Sequence, residues 1–176
     1  CTSDSASTTE AVHFYLKDER EDTDINGTIE ISINVTNDNV ERNYAFTFAN
    51  ITDHAICIYP AFASYESEAT LRYYANTYQA RKYYFSDTIN NVTQNLNLYL
   101  LHDDYAALTT IYVYDAMSVP KEQATVKILR YSVGTNSFKT VAMIITDSEG
   151  KASTYLEPIT ADYVFTVIIN DEVVYT

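Results

Sequence analysis

Glycine, proline and tryptophan are the residues that this chain has least of: its 176 residues include three glycines, three prolines and no tryptophan. Proteins average roughly 7% glycine and 5% proline, so the usual turn formers are scarce. Asn, Asp and Ser must form most of the turns, because their side chains bond nearby backbone amides and tolerate left-handed conformations. So few glycines also exclude glycine-rich phosphate loops and the Gly-x-Ser-x-Gly nucleophile motif, none of which occurs.

Catalytic signatures are missing as well. The histidines are His13, His54 and His102, and none lies in a His-Glu-x-x-His motif or beside a second ligand at metal spacing. A carboxylate pair for glycoside hydrolysis stays open, because its two members can lie far apart in the chain. We therefore expect a protein that is not an enzyme, with no catalytic residue and no required cofactor.

Basic residues and long apolar runs are also few. The chain has 11 Lys and Arg against 24 Asp and Glu, a formal net charge of -13, and we interpret the acidic run from Asp18 to Asp24 as a solvated surface. Because this charge repels phosphates, no nucleic acid partner is expected. A membrane-spanning helix needs about 18 or more consecutive apolar residues. The sequence has no such run, so we expect no membrane span.

The chain is rich in apolar residues, at 47%, and in tyrosine, with 17 residues. An apolar content this high predicts a packed core. Tyr and Thr suit half-exposed strands, where a ring packs flat and a hydroxyl still reaches water. From Ile29 to Val35, apolar residues alternate with polar ones, which is the period of a strand with one buried face.

The same period-two patterning continues through both halves of the chain and predicts two series of short strands. No amphipathic helix competes, although Tyr65 to Tyr78 has room for a short one. We predict an all-β fold of two antiparallel β-sandwiches in tandem, immunoglobulin-like or transthyretin-like. Residues 1–9 form a flexible arm, residues 10–104 the N-terminal half and residues 108–176 the C-terminal half. The predicted strands lie at 12–17, 29–35, 44–48, 55–59, 71–74, 81–85, 95–101, 109–114, 124–131, 139–146, 151–156, 164–169 and 173–176.

The turn at Asp147-Ser148-Glu149-Gly150 is the clearest local signal. Asp147 at the first position of a type I turn caps nearby amides, and Gly150 supplies a positive φ that a side chain would penalise. We predict that the strands on either side, 139–146 and 151–156, pair as a hairpin on which the C-terminal half is built.

The segment from Leu108 to Thr176 reads IYVYDAMSVPKEQATVKILRY, then TDSEGKASTYL, then YVFTVIINDEVVYT. Its Val-x-Asp…Pro…Ala-x-Val entry and its Thr-Asp-x-x-Gly-Lys turn resemble the carboxypeptidase-regulatory-like, or transthyretin-like, β-sandwich modules of secreted proteins. The sequence departs from that pattern at Gln123, where those modules usually carry glycine. The resemblance implies a structural or adhesion module without catalysis.

The loop from Asp22 to Glu30 matches the first nine positions of a calcium-binding loop pattern. Side chains at alternate positions of a tight loop converge on one point, and calcium takes hard oxygen ligands. The twelfth position is Ile33, where the pattern has a bidentate Glu, and the loop leads into a strand. The alternative is that Asn26-Gly27 is a hairpin turn joining strands 12–17 and 29–35. Calcium is the candidate cofactor, and its candidate ligands are Asp22, Asp24, Asn26, Thr28 and Glu30.

Four N-glycosylation patterns begin at Asn26, Asn34, Asn50 and Asn91. Three fall in predicted turns, and Asn34 shares the polar face of its strand. N-linked glycans are therefore a candidate modification. A glycan and a calcium ion on Asn26 would exclude each other.

The two cysteines, Cys1 and Cys57, have alternative interpretations. Cys57 is a small buried apolar residue or the partner of Cys1 in a disulfide, which would need an oxidising compartment. Cys1, followed by a Ser/Thr-rich tether, resembles the N-terminus of a bacterial lipoprotein after signal cleavage.

These patterns favour a secreted prokaryotic surface protein, non-catalytic and extracellular, that forms a homopolymeric filament or another surface assembly. Copies would join through strand edges, with the arm at Val12 and Phe14 or the terminal strand at Val173 and Val174 as the assembly residues. One alternative is a glycan-binding or adhesion module using Tyr73, Tyr74, Tyr83 and Tyr84, although one ring of each adjacent pair should face the core. The other is a monomeric lipoprotein anchored through Cys1.

Overall fold

The computed structural model describes residues 9–38, 40–58 and 64–176, and it confirms the all-β prediction. Within these ranges there is one 3-10 turn at Asp103–Tyr105 and no helix long and apolar enough to cross a membrane. The strands are β1 (Thr9–Asp18), β2 (Gly27–Asn37), β3 (Val40–Ile51), β4 (Asp53–Ile58), β5 (Tyr65–Tyr74), β6 (Arg81–Ile89), β7 (Gln94–Leu100), β8 (Ala107–Tyr112), β9 (Thr125–Ser132), β10 (Ser137–Ile145), β11 (Lys151–Leu156), β12 (Tyr163–Ile169) and β13 (Glu172–Tyr175).

The N-terminal half packs a three-stranded sheet, in the order β4-β1-β7, on a four-stranded sheet, in the order β3-β2-β5-β6. Strand β1 pairs antiparallel with β4 and parallel with β7. The alternation of β2 has the predicted effect, because Ile29, Ile31 and Ile33 are all buried. They join Leu16 and Leu71, among others, in one apolar core between the two sheets.

The C-terminal half contains a four-stranded sheet, in the order β10-β9-β12-β13, and a two-stranded sheet, in the order β11-β8. Val126 and Val141 from the larger sheet and Ala152 and Leu156 from the smaller one share a second buried cluster. Two sheets around one core form a β-sandwich. The more specific carboxypeptidase-regulatory-like assignment stays a prediction.

The two halves lie against each other. Tyr99 of β7 is buried in the cluster of the C-terminal half, and Met143 of β10 packs against the core of the N-terminal half. Strand β10 contacts β6 and β7 across this boundary. The division into two domains near residues 104 to 108 stays a prediction. The packing of Tyr99 and Met143 shows that the two halves share an interface.

The turn at residues 147–150 forms as predicted, but the hairpin does not. Gly150 has a φ of +70°, and Asp147 Oδ1 accepts from the backbone nitrogens of Glu149 and Lys151. Strand β10 pairs with β9, however, and β11 pairs with β8. The turn therefore carries the chain from one sheet of the sandwich to the other.

Two local alternatives do not form. The segment with room for a short helix forms β5 from Tyr65 to Tyr74, a longer strand than the predicted 71–74, because its alternate residues Ala69, Leu71 and Tyr73 are buried between the sheets. The Asn26-Gly27 pair is not a hairpin turn, since β1 and β2 belong to different sheets. Glycine is required there for close packing, because a Cβ on Gly27 would lie 2.6 Å from the Tyr74 carbonyl oxygen.

The prediction of a free N-terminal strand is also wrong. Residues 1–8 lie outside the described residues, and β1 is the central strand of its sheet. Val12 and Phe14, predicted as assembly residues, are 1% and 3% exposed. A strand paired on both sides and buried in the core has no edge to offer to another molecule.

Candidate functional site

The core-facing side of β3 is uncovered over part of its length. The β2–β3 register places Tyr44, Phe46 and Phe48 on the same face as the buried isoleucines of β2. Tyr44 and Phe46 nevertheless keep 43% and 37% of their surface exposed. Their ring centroids lie 6.1 Å apart, and the Phe46 and Phe48 centroids 5.9 Å apart. Side chains in core positions thus form an exposed aromatic row.

This exposure follows from the unequal sizes of the two sheets. Strand β3 is 12 residues long and forms one edge of the four-stranded sheet. The opposite sheet has three strands and ends at β4, which is only six residues long. Among the described strands, none lies beside β4 above β3. Among the described residues, no strand therefore covers this corner of the N-terminal sandwich.

The uncovered corner forms a groove of about 870 Å³ between β3 and β4. Its charged lining residues include Arg42 and Asp38. Most of the lining is apolar, and in an antiparallel sandwich such surface is normally buried by a strand. The apolar side chains come from β2 to β6 and include Ile33, Val35, Tyr44, Phe46, Ile56, Ile58, Tyr65 and Ile89.

Two stacked rings lie further along β3 and β4, next to the residues that line the groove. His54 of β4 stacks on Phe48 with 3.7 Å between ring centroids, and His13 Nε2 lies 3.0 Å from Asp53 Oδ1. Burial lowers the pKa of His54 below its ordinary value. The hydrogen bonds from His13 and Thr52 lower the pKa of Asp53. At neutral pH, a neutral imidazole therefore packs on Phe48 beside an ionised carboxylate.

We expect the stacked His54 ring to make the protein sensitive to mild acid. Because the pKa of His54 is lower in the folded chain, its unfolded form binds more protons as the pH falls below about 6.5. The contribution of neutral His54 to the free energy of unfolding is therefore fully present above that pH, and it is lost as the pH falls towards the lowered pKa. Melting temperatures of wild type and His54→Phe between pH 7.5 and 5 should show a steeper fall for wild type. Equal slopes would contradict this, and His102→Gln serves as the control.

A second open edge lies at the other end of the chain. In the part of the chain that the structure describes, strand β13 pairs with β12 alone and forms the edge of its sheet. Val173, Val174 and Tyr175 are 62%, 54% and 68% exposed. Among the described strands, the outer edge of β13 is therefore unpaired, unlike either edge of β1, and its use in assembly stays a prediction.

The glycosylation patterns fall into two groups. Asn26, Asn50 and Asn91 are exposed. Asn34 is half-buried on β2, and its Nδ2 donates to Glu41 Oε1. Glycosylation at Asn34 would require this contact to break, so the other three positions are better placed for a modification that stays a prediction.

The candidate calcium ligands do not converge. Lys17 Nζ lies 2.8 Å from Asp24 Oδ1, and Lys139 Nζ lies 3.7 Å from Asp22 Oδ1. Glu30 on β2 pairs with Arg72 instead. Within residues 9–38, 40–58 and 64–176, no group of three His, Cys, Asp or Glu side chains is placed to hold a metal ion. The calcium loop therefore stays a prediction without geometric support.

The cysteine and tyrosine predictions have mixed outcomes. Cys57 is half-buried on β4, and the described part of the chain contains no free cysteine. Cys1 lies outside the described residues, so both its disulfide and its lipidation stay predictions.

The tyrosines predicted for glycan binding divide into buried and partly exposed rings. Tyr73 and Tyr83 are 0% and 5% exposed. Neither of these two rings is available to a glycan, although Tyr74 and Tyr84 are partly exposed.

A buried ionic network between the two halves was not predicted from the sequence. Glu19, directly after β1, accepts from Arg81 Nη1 of β6 in its own half. It also accepts from Arg130 Nη1 of β9 at 2.9 Å and from Tyr163 Oη of β12 at 2.7 Å. Arg130 Nη2 in turn donates to Glu157 Oε2 at 2.7 Å. The side chains of Glu19 and Arg81 are both completely buried.

The pKa shifts in this network agree with its geometry. Burial alone would lower the pKa of Arg130, but hydrogen bonding to Glu19 and the charge of Glu19 outweigh it and raise the pKa above its usual value. Burial would raise the pKa of Glu157, but bonds from Thr160 and Arg130 lower it overall. Burial, with Glu19 nearby, also raises the pKa of Tyr163, which keeps its hydroxyl protonated.

No family model matches the chain, and no curated protein sequence does. Solved structures similar to it include a streptococcal ancillary pilin, with 11% identity and a TM-score of 0.32 over 95% of this chain and 60% of that one. The Bacillus anthracis TIE protein has 17% identity and a TM-score of 0.30 over 95% and 30%. A doubly substituted shaft pilin SpaA from Lactobacillus rhamnosus GG has 12% identity and a TM-score of 0.29 over 92% and 86%. The chain spans less than two thirds of the first two, and scores this low carry no argument about function.

Proposed function

We propose that this chain is a non-catalytic extracellular structural protein, a subunit of a surface filament that grows by strand addition between copies. The observation that carries the proposal is the uncovered core face of β3 beside the edge of β4 that no other described strand pairs with. A strand added to β4 would extend the three-stranded sheet to four and cover Tyr44 and Phe46. Backbone bonds to the edge and apolar side chains in the groove are the two components of binding by strand addition.

The occupant that fits is the terminal strand β13 of a second copy. It is apolar and already extended, and its outer edge is free among the described strands. Glu172 on this strand also complements Arg42 in the groove lining. The groove is in the N-terminal half and β13 is in the C-terminal half, so each copy would bind the next head to tail. Such a heterologous contact need not close and can generate a filament.

The test uses two complementary variants of the full chain. Phe46→Asp places a charge in the groove, and Val174→Asp places one on the terminal strand. We expect wild type to form filaments in negative-stain micrographs at high concentration and each variant alone to stay monomeric. An equimolar mixture should stop at dimers in size-exclusion chromatography with light scattering, because only one intact groove and one intact strand can meet.

Val133→Asp is the matched control, because Val133 is 83% exposed and belongs to neither edge. This variant should assemble like wild type. Wild type that stays monomeric at every concentration would overturn the proposal. Assembly by the Phe46→Asp variant would assign the contact to another surface.

A surface filament requires secretion, and a lipid or a disulfide at Cys1 would each fix the N-terminus in a different way. Mass spectrometry of material secreted by the native host distinguishes the two. The same spectra show whether Asn26, Asn50 and Asn91 carry glycans.

A further inference from the structure

Two buried donors on neighbouring strands have no hydrogen-bond partner among the described residues: Tyr73 Oη of β5 and Arg81 Nε of β6. Tyr73 is 0% exposed, and the side chain of Arg81 is completely buried. Buried polar groups in folded proteins are nearly always bonded to protein atoms, to an internal water or to an ion. These two atoms therefore point to a small bound molecule.

The β5–β6 register brings the two donors together. Tyr73 and Arg81 are directly opposite each other in this antiparallel pair. Their side chains therefore leave the sheet on the same face, with Cβ atoms about 4.5–5.5 Å apart. Burial raises the pKa of Tyr73 above its ordinary value, and the positive charge of Arg81 is the strongest effect that opposes this rise. The phenol thus stays protonated at neutral pH and lies within range of the guanidinium charge.

The other nitrogens of Arg81 are already bonded. Nη1 donates to Glu19 Oε2 and, at 3.0 Å, to the carbonyl oxygen of Tyr99, and Nη2 donates to the carbonyl oxygen of Tyr155. Tyr155 belongs to β11 of the C-terminal half. Only the Nε–H group of this arginine, which lies where the two halves meet, is therefore left to bind a further molecule.

The charges around Arg81 select a neutral molecule. Glu19 pairs with both Arg81 and Arg130, and Glu157 pairs with Arg130, so two carboxylates balance two guanidinium groups. An anion at Nε would add an unbalanced charge to a buried site, which is strongly unfavourable. A water molecule is neutral, is small enough for a protein core and can accept two hydrogen bonds. We propose that one internal water molecule accepts hydrogen bonds from Tyr73 Oη and Arg81 Nε.

This water extends the polar contact between the two halves. Through it, Tyr73 of β5 is linked to Arg81 and thereby to the Tyr155 carbonyl oxygen of β11. Neither the groove at β3 and β4 nor the terminal strand β13 takes part, so the presence of the water is tested independently of filament assembly.

A high-resolution crystal structure of the full chain tests for the water directly. We expect one ordered water peak within about 3.2 Å of both Tyr73 Oη and Arg81 Nε. The proposal is wrong if the two donors bond to protein atoms, or if both stay unpaired with no peak between them. A crystal soaked in sodium bromide distinguishes water from an anion. An anomalous bromide peak at this position would identify an anion site and refute a neutral ligand.

Oxygen-17 relaxation dispersion of water provides a second measurement in solution, because it counts internal waters that exchange slowly with solvent. The dispersion amplitude of Tyr73→Phe should fall by about one water per molecule relative to wild type, since this variant keeps the ring but removes one of the two bonds. Tyr83→Phe is the matched control, because Tyr83 is also buried on β6 and its hydroxyl is not one of the unpartnered buried atoms of the described residues. It should keep the wild-type amplitude. An unchanged amplitude in Tyr73→Phe, or an equal loss in Tyr83→Phe, would assign the water to another site.

Discussion

Replacing Glu19 with alanine is expected to lower the free energy of unfolding by about 3–5 kcal/mol, the loss typical of breaking a buried ion pair by removing one partner. Glu19 Oε2 accepts from Arg81 and Oε1 from Arg130 and Tyr163. Without the carboxylate, two guanidinium groups stay in a site from which solvent is largely excluded. Arg81 is the more affected, because its side chain is completely buried.

The Glu19→Gln variant separates charge from shape. It keeps the size of the side chain and one carbonyl oxygen, but it loses the negative charge that balances the guanidinium groups. Its free energy of unfolding should fall less than that of Glu19→Ala. The control is Glu30→Ala, which removes an exposed ion pair with Arg72 on β2 and β5 and should change stability little. Urea unfolding followed by circular dichroism measures all three variants, and a loss for Glu19→Ala no larger than that for Glu30→Ala would contradict the expectation.

The network also couples the two halves. Glu19 and Arg81 belong to the N-terminal half, and Arg130, Glu157 and Tyr163 to the C-terminal half. A buried network that spans both should make them unfold together in wild type. In Glu19→Ala we expect a broader urea unfolding transition, or two separate transitions, because the two halves lose the carboxylate that links them.

No local pattern in the sequence could have revealed this network. Glu19 lies in the acidic run from Asp18 to Asp24, which was interpreted as a solvated surface. Its partners Arg81 and Arg130 are 62 and 111 residues away in the chain. The burial of a charge depends on which strands meet it in space, and alternation within one strand says nothing about that.

The strands themselves were predictable because alternation is a local property. Ile29, Ile31 and Ile33 face the core because residues two apart share one face of a strand. Their period does not say which strands lie next to one another. The aromatic row at Tyr44 and Phe46 shows the difference: its period indicated a strand, but its exposure reflects that no described strand of the opposite sheet lies over it.

The turn at residues 147–150 shows the same limit. The chemistry of Asp147 and Gly150 is local, and both residues behave as predicted. The strands on either side of the turn, β10 and β11, do not pair with each other, because they belong to different sheets. A turn fixes the local reversal of the chain, while the partners of each strand are decided by the packing of the whole half.

Gly150→Ala is expected to lower the free energy of unfolding by about 2–4 kcal/mol, the sum of two effects at one position. The first is the φ of +70°, which disfavours any residue with a Cβ. The second is contact, because an added Cβ would lie 2.5 Å from the Val113 carbonyl oxygen. That oxygen accepts from the Lys121 amide, and the Val113 amide donates to the Gly150 carbonyl. The backbone of the turn therefore cannot shift without loosening these bonds.

Two further variants divide the loss between these effects. Gly150→Asn carries the same Cβ, but Asn tolerates the left-handed region better than Ala. The difference between the Asn and Ala variants therefore reports the cost of the positive φ, and the loss that they share reports the contact with Val113. Gly134→Ala is the matched control, because a Cβ there has no atom within 4 Å and its φ is not positive. Its stability should stay within about 0.5 kcal/mol of wild type. Urea midpoints that shift equally for Gly150→Ala and Gly134→Ala would show that neither the φ nor the contact at Gly150 limits the stability of the turn.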